Sequence, residues 1–234
     1  MNKNITTAID TSKVEIAQFT NGKGLLAKKN IEEGEVVFVE RSEVFHELTA
    51  ADFSNPACDS CFLVRKIIQD PQTAKFYDEF DLDSSCVSVN KPSRDDKKFL
   101  KKLSKKSKAP YEKVLGIWKI VCAYHVKGVL ATSINQKFRV QLSRLFNRTN
   151  HSCNPNTTVI HIFSSESDFD SRLLTVKATR QIQKGEEITF SYIDPGLAST
   201  LDFDSRQEEL KSNYGFICNC EKCLKDSQNP LLHS

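Results

Sequence analysis

Three cysteines, Cys218, Cys220 and Cys223, fall within six residues near the end of the chain. The opening residues, MNKNITTAIDTSK, lack the apolar stretch of a secretory signal, and no run is long and apolar enough to span a bilayer. The expectation is therefore an intracellular, non-membrane chain whose thiols stay reduced. In that setting metal binding explains the cluster better than disulfides do. A closed zinc site takes four ligands, so this tail should be tied back to a donor elsewhere.

The rest of the composition is that of an ordinary globular chain. Its 234 residues are 39% hydrophobic and 27% charged, which suits one domain or one domain with an insertion. A net charge of +3 is too small to argue for nucleic acid by itself.

Strand signals open the chain: VEIAQF over 14–19, a two-glycine turn at NGKG, a second turn at Ile31–Gly34, then VVFVE. Residues 46–110 differ, with few β-branched runs and several prolines. Helical patches at 58–69, 72–80 and 95–107 mark this stretch as an insertion. Residues 111–148 read mostly as helix, from Val114, Ile117, Trp118 and Val121 and again over 136–146 from Phe138, Leu142, Leu145 and Phe146. Strand character returns in TTVIHIF, RLLTVKA and EEITFSY. A last helix over 206–214 is predicted from the Ser205–Glu208 capping box.

Asn150-His-Ser-Cys-Asn-Pro-Asn156 resembles the NHSCxPN signature of SET domains. Gly185-Glu-Glu-Ile-Thr-Phe-Ser-Tyr192 resembles the GEEITFSY signature of the same family, and Tyr214-Gly-Phe-Ile-Cys-Asn-Cys-Glu-Lys-Cys223 its post-SET zinc segment. Asn21-Gly-Lys-Gly24 sits where the family has its GxG turn. The wording of the last motif resembles the SET-and-MYND (SMYD-like) branch, with the MYND finger missing or degenerate. The resemblance implies a mostly β SET fold with a helical insertion, an α+β arrangement in which the NHSC segment passes beside the tyrosine segment. It divides the chain into SET parts at 11–50 and 115–196, an insertion at 51–114 and a post-SET segment at 197–226.

The resemblance further implies a protein-lysine N-methyltransferase that uses S-adenosylmethionine. Such a reaction is an in-line displacement governed by positioning, and its amine must be neutral although a free lysine has a pKa of about 10.4. An apolar aromatic channel would favour the neutral amine. On this basis Tyr192 is the catalytic candidate and Tyr214 a second channel tyrosine. Gly22, Lys23, Gly24, Asn150, His151, Tyr192 and Phe216 are candidates for holding the donor. The resemblance implies Cys153 as the fourth zinc ligand, beside Cys218, Cys220 and Cys223. Against each role stands ordinary packing in a core or turn. A SET scaffold that no longer turns over and serves as a binding module is the alternative function.

Other signals are more ambiguous. Cys58-x2-Cys61 resembles the start of a MYND finger, but only Cys86 follows in the insertion. One irregular zinc site and ordinary buried thiols are both open. Tyr124, His125 and Cys122 read as core. Lys97, Lys98, Lys101, Lys102, Lys105, Lys106 and Lys108 form either the solvated face of an amphipathic helix or a contact for phosphates of DNA or RNA. The expected partner is a protein bearing the target lysine, a histone among the candidates. The chain is expected to be a monomer of the nucleus, the cytoplasm or both.

Overall fold

The computed structural model describes residues 10, 12–19, 22–48, 59–70, 91–124, 126–131, 136–160, 173–194, 197 and 200–228. Within them, 45–48, 59, 123–124, 126–131 and 136–140 are described by backbone alone. The chain divides into two compact units, one of Met1–Arg41, Arg148–Ser164 and Leu173–Ser234, the other of Ser42–Asn147 and Ser165–Arg172. No described helix is long and apolar enough to cross a membrane.

The first unit holds two sheets. One has the order β1 (Val14–Phe19), β2 (Gly22–Ala27), β10 (Glu187–Phe190), β7 (Asn150–His151). The other runs β3 (Val36–Arg41), β9 (Leu173–Ala178), β8 (Thr157–Ile160). Leu174 and Val176 alternate inward along β9, and in β3 the adjacent Val37 and Phe38 are both sealed from solvent beside a register shift in the pairing; Leu25, Ile31, Ile182 and Ile188 are sealed as well. The pairing that matters for function is β10 with β7. It is parallel, with Thr189 opposite Asn150 and Phe190 opposite His151. It sets the Asn-His segment beside the strand that leads into Tyr192. Two further helices close this unit, α4 (Phe203–Tyr214) and α5 (Glu221–Asp226).

Among its described residues the second unit pairs a three-stranded antiparallel sheet, β4 (Val44–Leu48), β6 (Gln136–Leu142), β5 (Val126–Ala131), with three helices. These are α1 (Asp59–Gln69), α2 (Arg94–Ser107) and α3 (Tyr111–Tyr124). Leu63, Val64, Ile67, Leu100, Val114, Trp118 and Val121 interlock as their core, with Cys122 packed at its margin. Helix α2 starts on a reciprocal capping box between Ser93 and Asp96. The Cys61 thiol is buried and donates to Asp96 Oδ1 at 3.4 Å.

Three expectations need correction. Residues 136–142 form a strand, not a helix. Phe138, Val140 and Leu142 alternate with polar residues, and β6 has a strand on each side to satisfy its backbone. Residues 126–131, expected to extend the preceding helix, form strand β5. The last helix begins at Phe203, because Asp202 rather than Ser205 caps it, accepting from the Ser205 N–H at 2.8 Å. The predicted helix at 72–80, and Cys58, Cys86 and His125, lie outside the described residues.

Candidate active site and thiol cluster

Strand β2 carries the two glycines of the predicted turn. Gly22 has φ +119°, a conformation that suits glycine. Gly24 is required for another reason. A Cβ there would lie 2.7 Å from Asn150 Nδ2 and 2.7 Å from the Phe19 ring. Its missing side chain is the space into which Asn150 fits. Asn150 Nδ2 in turn donates to Glu187 Oε1 at 2.7 Å, so the amide is oriented from β10. Asn150 Oδ1 has no partner among the described residues. Lys23, between the glycines, is exposed.

The tyrosine segment is held from both ends. The Tyr192 N–H donates to His151 Nδ1 at 2.9 Å, and its hydroxyl donates to the Thr149 carbonyl at 2.9 Å. The Tyr214 hydroxyl donates to the Tyr192 carbonyl at 3.2 Å. Burial holds the Tyr214 phenol above its ordinary pKa, with Glu209 adding to the shift, so it stays a donor. Rings gather around Tyr192: Tyr214 at 5.0 Å, His151 at 5.3 Å and Phe216 at 6.3 Å between centroids. Thr149 Oγ1 is buried with no partner among the described residues.

The thiols converge as well. The sulfurs of Cys153, Cys218, Cys220 and Cys223 all lie within 4.8 Å of one another, with Cys153 3.5 Å from Cys223 and 4.0 Å from Cys218. A tetrahedron with bonds of about 2.3 Å would set sulfurs about 3.8 Å apart, so the cluster is the right size for a zinc ion. Without a cation the thiols compete. Hydrogen bonding with Cys218, Cys220 and Cys223 pushes the Cys153 thiol far up, while hydrogen bonding with Cys153 pulls Cys220 far down. A divalent metal removes that conflict by taking all four as thiolates.

Local structure explains the convergence. Gly215 ends α4 in the left-handed conformation at φ +80° and reverses the chain. Gln207 then clamps the returning segment, donating to the Cys218 carbonyl at 2.9 Å and accepting from its N–H at 2.8 Å. The buried guanidinium of Arg206 faces Cys223 and Cys153 and pairs with Asp226. A zinc ion with four thiolates carries a net charge of −2, which this cation would offset. His151 Nε2 lies 3.3 Å from Cys153 Sγ. Burial lowers the His151 pKa to about 4, so the ring is neutral.

Sequence reading thus named Tyr192, Tyr214, Phe216, Asn150, His151 and the four cysteines, and the fold brings them together within one unit. It missed Glu187, Arg206 and Gln207, of which only Glu187 sat inside a quoted motif.

The chain matches the SET domain family over residues 22–193. It belongs to that family. The histone-lysine N-methyltransferase SET5 of Scheffersomyces stipitis is 44% identical over 77 residues, which cover 33% of this SET-domain chain and 14% of the relative. The SET domain and MYND-type zinc finger protein 6 of Schizosaccharomyces pombe is 32% identical over 109 residues, covering 46% of this chain and 20% of the relative. Both matches thus span a fifth or less of those relatives. Among solved structures, the SET domain of LSMT bound to lysine and AdoHcy agrees in fold at a TM-score of 0.54 and 14% identity, over 89% of this chain and 54% of that one.

Proposed function

We propose that this SET domain is an S-adenosylmethionine-dependent protein-lysine N-methyltransferase of the SMYD-like branch, acting on a histone or another protein. The observation that carries the proposal is the cluster of Tyr192, Tyr214, Phe216 and His151 around the Asn-His turn. The names of the relatives support the reaction and the histone, and a histone substrate would set the chain to work in the nucleus.

The donor would supply an electrophilic methyl group on a sulfonium. The residues present fit such a group. Thr149 Oγ1 offers an unmet buried polar atom, Asn150 a side-chain amide oriented by Glu187, and Phe216 an aromatic face. Gly22, Lys23 and Gly24 on β2 would border the same ligand, with the His151 backbone. Tyr192, fixed at its N–H and hydroxyl, would orient the incoming amine. Tyr214 would wall the channel, where low polarity favours the neutral lysine. Zinc in the four thiols would hold Phe216 and Tyr214 in place, because the post-SET tail carries both.

The test is transfer of labelled methyl from S-adenosylmethionine to histones and to peptide arrays, with donor binding followed by calorimetry. Transfer that is lost in Tyr192→Phe supports the proposal. Donor binding and transfer both absent in the zinc-loaded protein would leave a SET scaffold that only binds partners.

A further inference from the structure

Charge in this chain is concentrated in one place. Residues 94–108 carry eight basic and two acidic side chains, so a chain with a net charge of +3 is net acidic everywhere else taken together. These residues form α2 and its C-terminal cap. Lys97, Lys98, Lys101, Lys102, Lys105, Lys106 and Lys108 are all exposed. Among the described residues only Lys98 has an acidic partner, Asp95 at 3.4 Å on the same exposed surface.

The spacing orders them. Lys97, Lys101 and Lys105 form one row and Lys98, Lys102 and Lys106 the next, with steps of about 6 Å along the axis. Like charges four residues apart destabilise a helix; the helix dipole favours Lys105 and Lys106 in the last turn, but the fold gains little from Lys97, Lys101 and Lys102. Nor does it gain from Lys108, the left-handed cap at φ +58°, where glycine would sit without strain. Lysines kept where the fold pays for them point to an external anion.

The other face of α2 narrows the choice. Leu100 and Leu103 are buried, and Phe99 is half-buried, edge-on to Phe62 at 6.4 Å. No large apolar side chain of α2 is left to enter a lipid layer, and none is left to stack on unpaired bases. Paired lysine rows without base-reading groups fit the backbone of a duplex. We infer that the lysine face of α2 binds the phosphates of double-stranded DNA without regard to sequence. The choice of DNA over RNA rests on the histone reading above, since histones are met wrapped in duplex DNA.

The experiment is fluorescence anisotropy with a labelled random-sequence DNA duplex of about 30 base pairs, on the full zinc-loaded chain from 50 to 200 mM salt. Duplex RNA and phosphatidylserine vesicles serve as competitors. The expected slope of log affinity against log salt is about −4 to −6, for roughly five to six phosphates neutralised. The quadruple variant Lys101→Glu, Lys102→Glu, Lys105→Glu, Lys106→Glu should lose at least 100-fold in affinity, and the matching lysine-to-arginine variant should keep it. Absent binding at 50 mM salt, a flat salt response, or unchanged binding by the glutamate variant would overturn the inference. Stronger competition by RNA or vesicles would overturn its assignment to DNA. Circular dichroism of both variants guards against unfolding. Methyl transfer to free histones, run in parallel on the unaltered chain, reports on the methyltransferase reading alone. Loss of that transfer beside intact DNA binding would separate the two failures.

Discussion

His151 accepts the Tyr192 N–H at Nδ1 and so presents its remaining ring proton at Nε2 to Cys153 Sγ, 3.3 Å away. One neutral imidazole therefore joins the tyrosine segment to the thiol cluster, the arrangement by which an outer residue tunes and orients a metal thiolate. Replacing it with His151→Ala should weaken zinc binding by about 10–100-fold. Competition against a chromophoric chelator measures this directly. Wild-type affinity in the variant would show that the imidazole contributes nothing to the cluster.

Tyr192→Phe removes the hydroxyl but keeps the ring that touches Tyr214 and Phe216. Methyl transfer should fall by at least about 100-fold, the scale on which loss of a positioned polar group acts. The Thr149 carbonyl loses its donor, so stability should fall by about 1–3 kcal/mol. Rate and thermal midpoint measured together separate the two effects. A variant with near-normal transfer would remove Tyr192 from the proposed chemistry.

Much of this site could be read from the chain because its chemistry is local. Cys218, Cys220 and Cys223 announce themselves by spacing, and the strand around Val37 and Phe38 by its β-branched run. What could not be read depends on register between distant segments. Nothing near Asn150 in sequence says that Glu187 will hold its amide; that follows from the parallel pairing of Thr189 with Asn150. Likewise nothing near Gly24 in sequence says that the Asn150 amide will pack against it; only the fold makes that contact. Strand β6 was missed because Phe138 and Leu142 satisfy both a helical and a strand period, and only its two neighbours decide.

Asn156 pins the NHSC segment to β10. It is buried, its Nδ2 donates to the Glu187 carbonyl at 2.8 Å, and its Oδ1 accepts from the Thr189 N–H at 2.8 Å. Asn156→Ala would strand both backbone groups, at about 1–3 kcal/mol each. A loss of about 2–5 kcal/mol in chemical denaturation is expected. A loss below about 1 kcal/mol would mean that water replaces the amide.

Acid should act partly through Glu186. Burial alone would raise its carboxyl, but Arg180 at 2.6 Å, the Gln183 N–H and the Asn156 amide outweigh it and hold it low. A depressed carboxyl stabilises the fold above its unfolded value of about 4.3, and that stability is lost as pH falls through the folded value. Glu186→Gln should therefore flatten the acid limb of a stability profile while lowering stability at neutral pH. An unchanged limb would show that the group has the same pKa folded and unfolded.

Metal removal should act first on the tail. Its thiols reach the NHSC segment at Cys153, whose sulfur lies 4.0 Å from that of Cys218 and 3.5 Å from that of Cys223, and once the ion leaves, Arg206 faces unpaired thiols in a buried setting. Zinc binding by such sets is worth roughly 10–16 kcal/mol in small peptides, and that energy is also folding energy. Stripping the ion with a strong chelator should thus expose residues 203–228 to protease and slow methyl transfer by orders of magnitude, with β3 and β9 still protected in hydrogen exchange. Cys153→Ser should reproduce the effect without chelator, because it removes the ligand that anchors the tail to the NHSC segment. A chain that holds one zinc per molecule, loses it, and keeps its protease pattern and its rate would show that the four thiols neither bind the ion tightly nor depend on it.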